Sequence, residues 1–271
     1  MDVITSPSNP AVRAARKLAR PSSRARADGR FLLEGPEGIR AALEAGHPPD
    51  SLLVTERAAA RHGGLVNLAR QRGAQVTLVA EPVLSALAAT TTPQGLVAVL
   101  PSVLSPLAAL PGSPRLVCVL AEVRDPGNAG TVLRAADAFG ADAVVTTSGS
   151  VDPQSPKAVR AAAGSLFHLP VVAGVPWPEL AAALRGRGLR LVGADPHAEA
   201  TFDHGSFAAP VALVLGNEAH GLPDEIVADL DQVVRVPLAG RAESLNLAAA
   251  AAVLLYEAAR QQARERTTVG R

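Results

Sequence analysis

The stretch L-V-C-V-L-A-E-V-R-D-P-G-N-A-G-T-V-L-R-A-A-D-A-F-G, Leu116 to Gly140, decides how this chain folds. Its first five residues are an unbroken apolar run bounded by turn formers, the pattern of a strand buried on both faces. A turn rich in Gly and Asn follows and opens a helix. In that helix Val132, Leu133, Ala136 and Phe139 recur at helical spacing, with Arg134 among them. Strand, glycine loop and helix in this order is the layout of an α/β ligand site at the carboxyl ends of strands.

The same layout begins again at V-A-L-V-L-G-N-E-A-H-G-L-P, Val211 to Pro223, a strand ending in a Gly-rich polar loop. A third stretch, P-L-A-G-R-A-E-S-L-N-L-A-A-A-A-A-V-L-L-Y-E-A, runs from Pro237 to Ala258. Here Ser244 and Asn246 open a long apolar helix, and Ser is a favoured N-cap. A helix N-terminus also offers unpaired N–H groups and a positive dipole end, which suit an anionic or carboxylate-bearing ligand. None of these loops is G-x-G-x-x-G or G-x-x-x-x-G-K-[ST], so the dinucleotide fingerprint and the phosphate loop are both absent.

In this order the three stretches resemble the SpoU/TrmH family of RNA 2′-O-ribose methyltransferases, within the SPOUT superfamily. Asn128, Gly130 and Arg134 resemble the family's first motif. Gly216, Asn217, Glu218 and Gly221 resemble the second. Pro237, Gly240, Ser244, Leu245 and Asn246 resemble the third. The text D-P-Q-S-P-K-A-V-R-A-A-A-G-S-L-F-H-L-P-V-V, Asp152 to Val172, is also similar to the family's, so the resemblance covers Arg115 to about Arg260. Leu238 stands where Met is frequent, and Leu247 with Ala248 where a Val-Ser pair is frequent.

Length and composition agree. A chain of 271 residues suggests two domains. With 48% apolar residues and only 3% aromatic, the cores are to be built from Ala, Val and Leu. No apolar run reaches the ~20 residues needed to span a membrane. The N-terminal M-D-V-I-T-S-P-S-N-P has no signal-peptide layout. Cys118, inside L-V-C-V-L, reads as a buried strand residue, and one cysteine excludes an internal disulfide and fits a reducing cytoplasm.

The prolines from Pro101 to Pro114 divide the chain into 1–104, a basic arm with a small α/β domain; 105–114, a Pro-rich linker; and 115–271, the domain of the motifs. Before the linker, strands over Phe31–Glu34, Ser51–Thr55, Gln75–Val79 and Leu96–Leu100 alternate with helices over Pro36–Ala45, Arg57–Arg72 and Glu81–Ala88. F-L-L-E-G-P-E-G-I-R-A-A-L-E-A-G and T-T-T-P-Q-G-L-V-A-V resemble the two ends of the substrate-binding domain that precedes many SpoU-type catalytic domains. That likeness places Glu34 and Gly35 near an RNA face; the plain alternative is that Glu34 only precedes the helix at Pro36. Net charge is only +1, but Arg13, Arg16, Lys17, Arg20, Arg24, Arg26 and Arg30 crowd the first thirty residues, an arm suited to phosphate contact or simply a solvated face. Only Lys17 and Lys157 of the 26 basic residues are lysines, so each single Arg says less.

The resemblance implies an α/β C-terminal trefoil-knot domain with an open parallel sheet and helices on both faces, and a smaller N-terminal α/β RNA-binding domain. It implies a homodimer, S-adenosyl-L-methionine as methyl donor, and no metal. The donor would be held by backbone groups at Gly216, Val236 and Leu245, with Asn217 and Asn246 beside it. Catalysis would rest on Arg134, Asn128, Glu218, Ser244 and Asn246. Arginine is an awkward base, since its pKa lies above ~12; holding a phosphate and stabilising a developing alkoxide suits it better. Asn128 would orient Arg134 or the ribose, and Glu218 would meet the substrate or order its own loop. RNA contacts would come from Arg13, Arg16, Lys17, Arg20, Glu34 and Arg160. His197 and His204 read as surface residues and His220 as a loop residue. The implied substrate is RNA, with 23S ribosomal RNA favoured by the extra N-terminal domain. A transfer-RNA methyltransferase, a non-catalytic RNA-binding relative and a nucleotide-dependent transferase are the alternatives. The last lacks its phosphate loop.

Overall fold

The computed structural model of the chain describes residues 3–19, 29–88, 90, 92–202 and 206–269. Arg20, Arg24 and Arg26 of the basic arm, and His204, lie outside the described residues. By contact the chain falls into two compact units. One joins Met1–Val103 with Gln154–Phe167, and the other joins Leu104–Pro153 with His168–Arg271.

The first unit runs α1 (Pro10–Leu18), β1 (Arg30–Glu34), α2 (Pro36–Glu44), β2 (Ser51–Val54), α3 (Glu56–Arg61), α4 (Gly63–Gln71), β3 (Gln75–Leu78), α5 (Glu81–Ser85) and β4 (Leu96–Pro101). Its four strands pair in the order β1-β4-β2-β3, antiparallel except for the parallel β2–β3 pair. The single helix expected over Arg57–Arg72 is two helices, because Gly63 and Gly64 follow the His62 break and weaken helix continuity. Asn9 caps α1 by accepting from Ala11 N at 2.9 Å, and Pro10 takes the first turn, where a missing N–H costs nothing. The helix buries Val12, Ala15 and Leu18 and leaves Arg13, Arg16 and Lys17 exposed.

Residues 154–167 complete this unit from far along the chain. They form α7 (Pro156–Ala162), which packs on β1. Ala163 and Gly164 end it in the left-handed region, and a Cβ on Gly164 would stand 3.0 Å from the Ala41 methyl. The chain then buries Leu166 and Phe167, whose ring lies 6.4 Å from Phe31 and 5.8 Å from His47.

The second unit carries β5 (Leu116–Leu120), α6 (Pro126–Ala138), β6 (Ala143–Thr147), β7 (Val171–Val175), α8 (Trp177–Arg185), β8 (Arg190–Ala194), β9 (Val211–Leu215), α9 (Asp224–Asp229), β10 (Gln232–Val234) and α10 (Leu247–Val269). Its six strands are all parallel, in the order β10-β8-β9-β5-β6-β7. All five residues of β5, β6 and β9 are buried, as strands covered on both faces require. Val117, Val119, Ala212 and Val214 meet α8 and α9 on one face. The alternate residues point to the other face, where α6 and α10 pack on each other and reach β6 and β9. Cys118 is fully buried there, and burial pushes its thiol up to about 12. The chain leaves β5 in one direction for β6 and β7, then returns through β8 to insert β9 beside β5. That reversal opens a crevice at the carboxyl ends of the strands, the usual ligand position in such sheets. Among the described residues no helix is long and apolar enough to cross a membrane.

Candidate active site

Four loops at the carboxyl ends of β5, β8, β9 and β10 enclose a cavity of about 590 Å³, within the range of small-molecule sites. β9 ends at Leu215, and Gly216 starts a hairpin in which Asn217 and Gly221 exchange both backbone hydrogen bonds, at 2.8 and 2.9 Å. A Cβ on Gly216 would fall 2.4 Å from the Gly221 carbonyl carbon, so only glycine fits that crossing. Asn217 fixes the loop twice. Its Nδ2 donates to the Glu122 carbonyl at 2.8 Å, and its Oδ1 accepts from Ala219 N at 2.9 Å and His220 N at 3.2 Å. Glu122 is itself held at φ 54, unusual for a residue with a side chain, by Thr147 Oγ1 on its N–H at 3.0 Å.

From Glu122 the chain enters α6. Asp125 caps the helix, its carboxylate accepting from Asn128 N at 2.8 Å. Glu218 reaches across from the hairpin. Its carboxylate accepts from Arg124 N at 3.3 Å, Asp125 N at 3.2 Å and Asn128 Nδ2 at 3.1 Å. Burial works to raise the Glu218 pKa, but the hydrogen bonds from Asn128 and from backbone N–H groups outweigh it and leave the group below its ordinary value of 4.5. Asn128 Oδ1 in turn accepts from Asn246 Nδ2 at 3.1 Å. Asn246 caps α10, its Oδ1 accepting from Ala248 N at 2.9 Å. Ser244, expected as a possible cap, lies in the exposed irregular approach to that helix and lines the cavity instead.

The structure thus brings Asn128, Gly216, Asn217, Glu218, Val236, Ser244, Leu245 and Asn246 to one cavity. Arg134 is not among its lining residues. It is exposed on α6, six residues beyond Asn128 and so about 120° around the helix. Among the described residues its guanidinium has no hydrogen-bond or ion-pair partner. In the first unit Glu34 and Arg160 face each other, Arg160 Nη1 standing 3.8 Å from the Glu34 carboxylate, which also accepts from the Thr90 hydroxyl.

Residues 115–256 match the SpoU rRNA Methylase family, and residues 9–98 match the MRM3-like substrate binding domain. The chain belongs to the SpoU methylase family. It is 34% identical over 226 residues to the Bacillus subtilis 23S rRNA (guanosine(2553)-2′-O)-methyltransferase RlmP, covering 83% of this chain and 87% of that one. It is likewise 34% identical over 246 residues to the 23S rRNA (uridine(2479)-2′-O)-methyltransferase of Streptomyces viridochromogenes, covering 88% and 85%. The crystal structure of an AdoMet-bound rRNA methyltransferase from Sinorhizobium meliloti superposes with a TM-score of 0.85 at 31% identity, covering 96% and 97%.

The SpoU motifs account for three walls of the cavity but not for the fourth. That wall is Ala194 at the end of β8 and Asp195, Pro196 and His197 after it. Asp195 Oδ1 accepts from His197 N at 2.7 Å, which turns the loop over the crevice. His197, expected on the surface, is both exposed and part of the lining. The signal for this wall was the apolar run Leu191-Val192-Gly193-Ala194 ending in Asp-Pro, a further strand followed by a turn. Arg235, His220 and Glu243 complete the polar rim.

Proposed function

We propose that this chain transfers a methyl group from S-adenosylmethionine to a ribose 2′-oxygen of 23S ribosomal RNA in the cytoplasm, acting as a homodimer with a knotted C-terminal domain. The observation that carries this is that the three motif loops meet at one cavity, with its polar end at Asn128, Glu218 and Asn246. The fit to the donor rests on the lining. Backbone at Gly216, Val236 and Leu245 offers hydrogen-bonding groups beside apolar Leu215, Leu247 and Leu254, suited to an adenosine. Asp195, Glu218 and Glu243 place carboxylates around the same space, suited to a ligand bearing a sulfonium and an ammonium.

When bound, the donor supplies an already activated methyl, which leaves the sulfonium as the ribose oxygen forms its bond to carbon. The protein must place that oxygen in line and stabilise it as its proton leaves. Ser244 and Asn246 flank the polar end and orient the ribose. The Arg134 guanidinium holds the adjacent phosphate and the developing alkoxide, while the hydroxyl proton passes to phosphate or water.

Arg134 does not line its own cavity, and α10 exposes Val253 and Tyr256 beside α6, where Tyr256 stacks edge-on against Phe139 at 5.7 Å. Both facts favour a dimer in which each Arg134 serves the partner's cavity. Arg13, Arg16 and Lys17 on the outer face of α1, with Glu34 and Arg160, form the RNA-contact surface of the first unit. The test has two parts: calorimetric titration with S-adenosylmethionine, and mapping of ribose methylation in total RNA from a deletion strain against its parent. One 23S nucleotide losing its methyl group supports the proposal. No donor binding, or an unchanged methylation map, refutes it.

A further inference from the structure

Glu218, Asn128 and Asn246 come from three separate motifs, and the direction of every hydrogen bond among them is determined. At the start of α10, Ala248 N can only donate, so the Asn246 atom it meets at 2.9 Å is Oδ1. Asn246 therefore turns Nδ2 towards Asn128, which must present Oδ1 at 3.1 Å. Asn128 is then left to donate through Nδ2, and it meets Glu218 Oε1 at 3.1 Å. The far end is equally committed. The Glu218 carboxylate also faces the N–H groups of Arg124 and Asp125, both donors only. Both ends of the relay demand the same orientation of the central amide, and an ionised carboxylate at 218 satisfies all its neighbours.

We propose that these three residues act as one directional clasp, in which Glu218 is a positioning residue that fixes the start of α6 and the Asn246 amide, and is not the acceptor of the ribose proton. This rests on the methyltransferase reading of the cavity and deepens it. A carboxylate already accepting from Arg124, Asp125 and Asn128 is a poor base, because taking a proton would set an O–H against N–H donors. Its depressed pKa agrees with that geometry. The clasp also ties α10 to α6 through side chains 118 residues apart, so the polar end of the cavity forms only once the C-terminal helix is in place.

The relay predicts coupling between residues 246 and 218 through the amide between them. Asn246→Asp keeps the cap, since Asp caps as well as Asn, but it turns an acceptor towards Asn128 Oδ1. Asn128 then has to flip and set its carbonyl against Glu218. Glu218→Gln alone leaves an NH₂ against a backbone donor, the Arg124 N–H, when its oxygen keeps the bonds from Asp125 and Asn128. In the double variant the side-chain relay runs backwards, at the cost of the acceptor that Asp125 N–H has in Glu218 Oε1. The new carboxylate at position 246 accepts from Asn128 Nδ2, and the new side-chain amide at position 218 donates to Asn128 Oδ1.

The experiment measures turnover, donor affinity and hydrogen exchange of the donor-free full-length protein for Asn246→Asp, Glu218→Gln and the pair. Each single variant is expected to lower kcat by up to ~100-fold, as small misplacements at a reacting centre do. The double variant is expected to recover at least ~10-fold over the worse single one. The Arg124 and Asp125 amides are expected to exchange faster in Glu218→Gln. Losses that simply multiply in the double variant overturn the clasp, as does unchanged exchange at Arg124 and Asp125. A wild-type protein that methylates no RNA sinks the functional reading instead, while exchange and a thermal-melt cycle on the same variants still decide the clasp.

Discussion

In the second unit Asn246 reaches back 118 residues to Asn128 through a hydrogen bond, whereas in the first unit Phe167 reaches back to Phe31 through ring contact. Both regions are finished by a segment that arrives late in the chain, but the physics differs. The polar clasp is directional and depends on the charge at Glu218, and each hydrogen bond in it contributes only ~1 kcal/mol net. The apolar insertion of Ala158, Val159, Ala162, Leu166 and Phe167 has no preferred direction and scales with buried area. One region is built to aim a few atoms, and the other to hold a sheet together.

Cutting the chain near Ser113 is the harshest way to break the comparison. All the motif residues lie beyond that point, yet residues 154–167 belong by contact to the first unit. Without β1, the buried side chains of α7 and Phe167 meet water. The shortened protein is expected to aggregate or to melt without cooperativity, as seen by light scattering and calorimetry. A monodisperse fragment that binds donor at full-length affinity would show that the borrowed segment adds nothing.

A single core substitution sharpens the same point. Phe167→Ala removes a ring that is 9% exposed and contacts Phe31 and His47. It is expected to cost ~3–5 kcal/mol of stability. Donor affinity measured on the folded fraction should stay unchanged.

Arg134→Ala makes the opposite cut. The side chain is exposed and outside the cavity lining, so stability and donor affinity should hardly move. Methyl transfer should drop ~100-fold or more, as for loss of a positioned transition-state group. Near-normal turnover of this variant on its RNA would remove Arg134 from the mechanism.

Mild acid gives the smallest effect. Glu218 is depressed below its ordinary 4.5, so what it contributes is present in full above that value and is lost as pH falls through the folded pKa. Asp231 and Glu257 shift in the same direction, under hydrogen bonds from Leu191 N and from Arg260 respectively. Melting temperature should therefore fall slightly between pH 5 and pH 3 (roughly, from the usual carboxylate range). Glu218→Gln should flatten part of that slope, whereas Phe167→Ala should leave it alone.

Much of the second unit was legible because its signals are local. The strand Leu116–Leu120 has the limits its apolar run suggested, and the loops after β5 and β9 carry their polar residues within a few positions of the strand end. The loop at Asp195–His197 was missed because nothing local separates a turn over a cavity from a turn over solvent. The helix break at His62 was missed because the apolar spacing continues across it. The placement of residues 154–167 had no local signal at all, since a buried segment looks alike whichever sheet covers it.

The sequence by itself determined the parallel sheet, the glycine at Gly216 and the polar residues gathered at the strand ends, because apolar runs, turn formers and caps act over a few residues. Only the tertiary structure decided that Asn246 rather than Ser244 caps α10, that Glu218 points back at Arg124, Asp125 and Asn128, that Glu34 meets Arg160, and that Arg134 looks away from its own cavity. The Glu218 and Glu34 pairings join residues some 90 to 126 positions apart, which hydrogen bonding and packing choose only after the chain has folded.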